Sequence, residues 1–400
     1  MSTLDISIGS ACLGRIEAIG EHDFRFVFNP LLQPTATTPI LGLYLEGERP
    51  RTIEASGHLP LWFEHLLPPP HSRLRRLLCA QCNIGDDALD ESFRLLAFLG
   101  DDLPGAVIAR PDPGAVEWVP PRTEPLRRPT EGQLRSALAG QQSKLSVRAG
   151  ERGLVIPALG EASSFIAKFP DPEYPDLPRI EIATMSWARA AGIATPSFRL
   201  ASIDEFDALP GGTAPAGSSA FLIERFDRSA QGERLHMEDF AQVLDCPLGS
   251  IHDGRFEHLV AVVAAHAPDD LEELCRRLVF CLLSGNGDAH LKNWSLLYQT
   301  PRTPSLSPAY DLVSTILVMK DDTLSLSVGG KRRFDELGLF DFAGIARVAR
   351  RDEAEIARWV KSAIERIRDA FEDPLNGLDF TAAERETLRR HARLLPLVRA

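Results

Sequence analysis

The densest chemistry in the chain is the run Gly285-Asn286-Gly287-Asp288-Ala289-His290-Leu291-Lys292-Asn293. A turn needs Gly and Asn, but it has no need of Asp, His, Lys and a second Asn together. Asp288 and Asn293 stand five residues apart. Phosphoryl-transfer loops use that separation between the Asp that accepts a substrate hydroxyl proton and the Asn that holds Mg²⁺. His290 and Lys292 are then supports of the loop. The bland alternative is a hydrogen-bonded turn. A metal-hydrolase reading takes Asp288 and His290 as ligands, but it needs further ligands that the sequence does not show.

Four other segments fit the same chemistry. Asp311, in Ser307-Pro-Ala-Tyr-Asp-Leu, follows Asn293 by eighteen residues and is placed to be a second, acidic Mg²⁺ ligand. Lys168 sits in the apolar strand Phe165–Phe169, where an ammonium is awkward unless an anion meets it. Phosphate oxygens supply that anion, and Glu181 on the next helix is the candidate to orient the lysine. Alternatively, Lys168 snorkels to water from a strand edge. Gly140-Gln-Gln142-Ser-Lys144 offers backbone N–H groups and Lys144 as phosphate caps, although one Gly stands where a glycine-rich loop has three. Glu224-Arg-Phe226, at the abrupt end of an apolar strand, suits a hinge whose backbone reads an adenine edge.

These residues need elements to position them. The 400-residue chain is 44% hydrophobic and 25% charged, an ordinary globular composition that excludes disorder and fibrous repeats. Leu13–Glu17 and Phe24–Phe28 alternate as half-buried strands do, and Ser92–Leu99 reads as a short helix closed by Gly100. Four prolines in Val119–Pro129 mark a linker. Strands are expected at Ser164–Phe169, Phe198–Leu200, Ala220–Glu224 and Trp294–Tyr298. Helices are expected at Arg179–Ala191, Asp269–Ser284 (ended by Gly285) and Asp352–Phe371, the last two with apolar residues at 3,4 spacing. Thr381 and Glu384 form a capping box. The longest apolar run, Leu259–Ala265, is far short of the ~20 residues that cross a bilayer, and the N-terminus has no secretory signal. Six cysteines are too few for a disulfide scaffold, and Cys79-Ala-Gln-Cys82 reads as structural. A net charge of −12 with no basic patch argues against direct nucleic-acid binding.

The Asp-x-His-x-x-Asn form resembles loops of aminoglycoside and lipid kinases. Taken with the rest of the chain, it resembles the HipA family of toxin kinases. Ala139-Gly140-Gln-Gln142-Ser-Lys144-Leu matches that family's A-G-x-Q-x-K-L loop. Glu224–Arg228 matches its E-R-F-D-R hinge. Leu235–Gln242, Asn286–Asn293 and Pro308–Asp311 match L-x-x-E-D-x-x-Q, N-x-D-x-H-x-K-N and P-x-Y-D. Leu59–Leu61, Phe63–Pro68 and Leu99–Val107 are similar to its first subdomain. The resemblance implies a cytoplasmic bacterial Ser/Thr kinase that halts growth, with no membrane association. It also implies a small helix-turn-helix antitoxin as partner, DNA contact only through that antitoxin, and a translation component such as an aminoacyl-tRNA synthetase as substrate. One departure is Ala137, where family members often carry an autophosphorylated Ser.

The expected fold is α+β: a bilobal, protein-kinase-like architecture with a sheet-containing N-lobe, an all-helical C-lobe and a small N-terminal α/β subdomain. The expected divisions are 1–118 for the subdomain, 119–130 for the linker, 131–228 for the N-lobe and 229–400 for the C-lobe. ATP is expected between the lobes, with Lys168 on its phosphates, adenine on the Glu224–Phe226 backbone, and Mg²⁺ on Asn293 and Asp311. The alternatives are a small-molecule or lipid kinase and a non-catalytic corepressor that bridges antitoxins.

Overall fold

Alternation at Leu13–Glu17 and Phe24–Phe28 becomes two neighbouring strands, Ala11–Ala18 and Asp23–Phe28, paired antiparallel with Gly14 opposite Phe28. The structure, a computed structural model, describes residues 2–112 and 144–399, except 50–51, 86–87, 89, 158–161, 208, 210–212, 230 and 320. The linker, Ala137, Gly140 and Gln142 lie outside the described residues. Contacts divide the chain into two units that interleave in sequence. One holds Met1–Pro172, Ala201–Leu248 and Leu297–Arg302; the other holds Glu173–Leu200, Gly249–Leu296 and Thr303–Ala400.

In the first unit, an antiparallel sheet runs in the order Ile53–Ser56, Asp23–Phe28, Ala11–Ala18, Thr3–Ile8, Val107–Pro111. Its inward residues Ile6, Ile16 and Phe26 share one core with Trp62, Phe63 and Leu96 of the short helices that follow. A second sheet places Gly153–Val155, Lys144–Gly150, Phe165–Lys168 and Ser219–Glu224 side by side. Ala167, Phe169, Val147 and Leu222 form the core on one of its faces.

Two motifs of this unit are halves of one network. Arg225 grips Asp227 through two bonds (2.9 and 2.7 Å) and reaches Asp102 at 3.2 Å. Arg228 also reaches Asp102, at 2.8 Å, and the Gly105 amide donates to Asp227 at 2.7 Å. Burial opposes ionisation of Asp227, but Arg225 and Arg228 hold its carboxyl below the usual range. Arg234 caps the carbonyls of Asp101, Leu103, Gly105 and Val107. The Glu224–Arg228 segment is thus anchored to Leu99–Val107 by buried arginines paired with Asp102 and Asp227, the pairing that offsets the cost of burying charge.

Glu238 makes a second tie. It is fully buried and accepts from the Trp62 indole (3.1 Å), the Leu43 amide (3.0 Å) and the Tyr298 hydroxyl. Burial outweighs these donors and pushes its carboxyl up to about 7, against 4.5 in the open chain. The folded state therefore holds the proton more tightly. That stabilisation, on the order of 3 kcal/mol, is full below about pH 4.5 and is lost as pH rises through 7. Glu238→Gln keeps an acceptor for Trp62 and supplies a permanent N–H toward Tyr298. Between about pH 5 and 8 the melting temperature of the parent chain should fall several degrees more than that of the variant. Parallel melting curves across that range would refute the assignment.

In the second unit the helical patterns appear nearly where spacing puts them. Helices span Leu177–Ala190, Leu271–Ser284, Glu353–Glu372 and Ala382–Leu394. Thr381 and Glu384 form the expected capping box, and Glu384 also pairs with Arg179 at 2.6 Å. The Trp187 indole donates to the Ile367 carbonyl, joining the first of these helices to the third. An all-helical stretch after residue 228 is not what forms. Strands occur at His236–Asp239, Ser295–Tyr298 and Pro304–Leu306, three short segments of little intrinsic strand preference that pair with one another in one sheet. Gly100 closes the helix Glu91–Leu99 as expected, and it has a second role. Its backbone stays right-handed, and an added Cβ would lie 1.8 Å from the Ala109 carbonyl, so the glycine serves close approach. Cys79 and Cys82 are buried, and burial raises the Cys82 thiol to about 12, which leaves no reactive thiolate.

Candidate active site

The loop after Leu271–Ser284 is built by its own backbone. Gly285 ends the helix with φ 64°, the left-handed turn that glycine adopts without strain. Asn286, almost fully buried, donates its amide to Cys281 and accepts from the Asp288 amide at 3.1 Å. The Asp288 carbonyl then receives two donors, the His290 amide (2.7 Å) and the Asn293 side chain (2.8 Å). The residues singled out at spacing five are therefore bonded to each other. With its N–H₂ on Asp288, Asn293 keeps its oxygen for another partner. Asp288 itself is exposed, as a group that meets a substrate must be.

Gly287 is clamped from several sides. Its amide donates to the Thr315 hydroxyl (2.7 Å), and its carbonyl accepts from the Ser325 amide (2.8 Å). A Cβ would lie 2.3 Å from the Asp322 carboxylate, which in turn accepts from Thr315. Thr315 and Asp322 thus fix the backbone immediately before Asp288. Sequence reading missed both, because neither stands in a motif. Tyr310 also positions the loop. Its hydroxyl donates to the Lys292 carbonyl (2.7 Å) and lies 2.6 Å from Ser295 Oγ. It ties the Asp288 loop to the Pro308–Asp311 segment.

Asp311 has φ 56°, a left-handed conformation that costs energy for a residue with a Cβ and concentrates at functional positions. Asn293 and Asp311 line the same small cleft, together with Asn286, Tyr310 and Arg277. Two oxygen donors opening on one cleft suit a hard divalent cation.

In the first unit, antiparallel register sets Lys144 directly opposite Lys168, and Lys168 opposite Phe221. Opposed residues project to one face, and this is the face turned away from the Ala167–Phe169 core. Lys168 is only 4% exposed, and its ammonium lies 5.4 Å from the centre of the Phe221 ring. Glu224 is exposed at the end of its strand and Phe226 half-buried beyond it. Glu181 is completely buried on Leu177–Ala190, in the other unit.

A member that sequence reading lacked is His252. His252, Asp288 and His290 each present a ligand atom, all within 4.8 Å of one another. The imidazole rings meet edge to face with centroids 4.9 Å apart. His252 lies 36 positions before Asp288 with no motif around it, so only folding could bring it in.

Residues 4–110 match the HipA N-terminal domain, and residues 136–373 match the HipA-like C-terminal domain. The chain belongs to the HipA family. Y4dM of Sinorhizobium fredii, named as an inferred kinase, is 36% identical over 100% of this chain and 98% of its own length. The serine/threonine-protein kinase toxin HipA of Shewanella oneidensis is 26% identical over 63% of each chain. The structure of Shewanella oneidensis MR-1 HipA with HipB and operator DNA superposes with a TM-score of 0.70. It is 20% identical and covers 98% of this chain and 96% of that one, a likeness of fold. The cleft residues Asn286, Asn293, Tyr310 and Asp311 all fall within the matched C-terminal domain. Among the described residues, no helix is long and apolar enough to cross a membrane.

Proposed function

We propose that this HipA-family chain is an ATP-dependent serine/threonine protein kinase, of the bilobal build that the sequence suggests, acting as the toxin of a toxin–antitoxin pair. The observation that carries the reading is the cleft on which Asn293 and Asp311 both open, beside an Asp288 whose backbone Asn293 itself holds. Lys168 and Lys144 bind phosphate oxygens, and Glu181 is the carboxylate assigned to orient Lys168. The Glu224–Phe226 backbone reads adenine. Gly140 and Gln142 complete the phosphate loop.

Asn293 and Asp311 are the residues that would hold Mg²⁺, which when bound neutralises charge on the transferring phosphoryl group. Asp288 accepts a hydrogen bond from the substrate Ser or Thr hydroxyl and takes its proton as the new oxygen–phosphorus bond forms and the bond from the γ-phosphorus to the bridging oxygen breaks, releasing ADP. His290 and Lys292 keep the loop in shape. Such a site works by position and charge, without a covalent intermediate on the protein.

The toxin role rests on the relatives: one is named a kinase toxin, and a HipA has been solved with HipB and operator DNA. A small helix-turn-helix antitoxin is the partner proposed here, and this acidic chain, at −12, leaves DNA contact to it. The proposed substrate is a translation component such as an aminoacyl-tRNA synthetase. Calorimetry tests the nucleotide site. ATP should bind more tightly with Mg²⁺ than with EDTA, and equal affinity in both would remove Asn293 and Asp311 as metal ligands.

A further inference from the structure

The geometry points to a transition-metal site at His252, Asp288 and His290, which takes a borderline divalent cation such as Zn²⁺. The oxygen-rich cleft of Asn293 and Asp311 does not share this preference. Imidazole nitrogens select Zn²⁺, Ni²⁺ or Co²⁺, whereas carboxylate and amide oxygens select Mg²⁺. Two imidazoles and one carboxylate, with ligand atoms within 4.8 Å, are a complete three-residue set that leaves a fourth position for water. Among the described residues it is the one group of His, Cys, Asp and Glu so arranged.

The site is built in advance. Ser325 Oγ lies 2.6 Å from His252 Nδ1, fixing that ring as outer-shell partners fix metal-ligating histidines. The Ser325 amide holds the Gly287 carbonyl, and the hydrogen bonds on the Asp288 carbonyl set the spacing of Asp288 and His290. His252 and Asp288 are exposed, so a cation has an entry path. A cation bound there occupies the Asp288 carboxylate. On the kinase reading above, which this consequence alone requires, that carboxylate is then withheld from the substrate hydroxyl. Zinc and phosphoryl transfer become mutually exclusive.

Co²⁺ is the probe, added to the full chain in millimolar Mg²⁺ and followed by its visible ligand-field bands and by titration. One equivalent should bind and be displaced by Zn²⁺. His252→Gln should weaken Co²⁺ binding at least ~10-fold, and Ser325→Ala several-fold. His258→Gln, an exposed histidine elsewhere, should change nothing. Melting curves of each variant report that it is folded. Undiminished Co²⁺ binding by folded His252→Gln and Ser325→Ala overturns the site, as does a parent chain that shows no ligand-field band. In the activity arm, Zn²⁺ should stop transfer by the parent chain, and His252→Gln should need at least ~10-fold more. Equal zinc sensitivity overturns the blocking role. Co²⁺ binding as described in a chain that transfers no phosphate supports the metal site and sinks the kinase reading instead.

Discussion

Asp288→Asn is expected to abolish phosphoryl transfer while leaving the fold and ATP binding as they are. The carboxylate is exposed, so its amide replacement buries nothing new. Three bonds that shape the loop use the Asp288 backbone: its amide on Asn286, and its carbonyl under His290 and Asn293. None of these needs the side-chain charge. What is lost is the group that orients the hydroxyl and accepts its proton, an effect on the order of 10²–10⁴ in rate. The measurement is transfer from labelled ATP into proteins of a cell lysate, with nucleotide affinity measured in parallel and growth followed on overexpression. Near-parental transfer by the variant would show that Asp288 is not the catalytic Asp. Label appearing only in small molecules would favour the small-molecule or lipid kinase alternative.

Spacing made some of this site legible and left the rest invisible. Residues within one loop share a short tether, so Asp288 and Asn293 at separation five can be read together, and they prove to be bonded. Helices Leu271–Ser284 and Glu353–Glu372 were legible because one apolar face repeats over three or more turns. The strands His236–Asp239 and Pro304–Leu306 carry too few residues for alternation to register. The pairing of Lys144 with Lys168 is a matter of register between strands, which no linear pattern states. His252, Thr315 and Asp322 reach the loop only through tertiary contacts. Their types, a histidine beside an aspartate, a threonine in a turn and one acid of a pair, carry no local signal. The units interleave in sequence because the chain crosses between them at 172–173, 200–201, 248–249, 296–297 and 302–303. A reading of consecutive blocks has no access to such crossings.

The second large effect concerns Asp311, and the choice of substitution matters. At φ 56° an alanine would add backbone strain to any loss of function, whereas asparagine tolerates the left-handed region about as well as aspartate. Asp311→Asn therefore removes one negative charge from the cleft without that backbone strain. If Asp311 is the acidic Mg²⁺ ligand, losing that charge should raise the Mg²⁺ concentration needed for half-maximal activity. At limiting Mg²⁺ it should lower transfer by about 10²–10³, corresponding to several kcal/mol of charge stabilisation. It should also erase the difference in ATP affinity between Mg²⁺ and EDTA. Asp288→Asn should leave that difference in place, since Asp288 is not assigned to the cation. The two variants thus separate two roles that a simple loss of activity would merge. If Asp311→Asn keeps both the Mg²⁺ dependence of transfer and the Mg²⁺-dependent gain in ATP affinity, then its left-handed backbone only shapes the turn, and the acidic ligand must be sought elsewhere in the cleft.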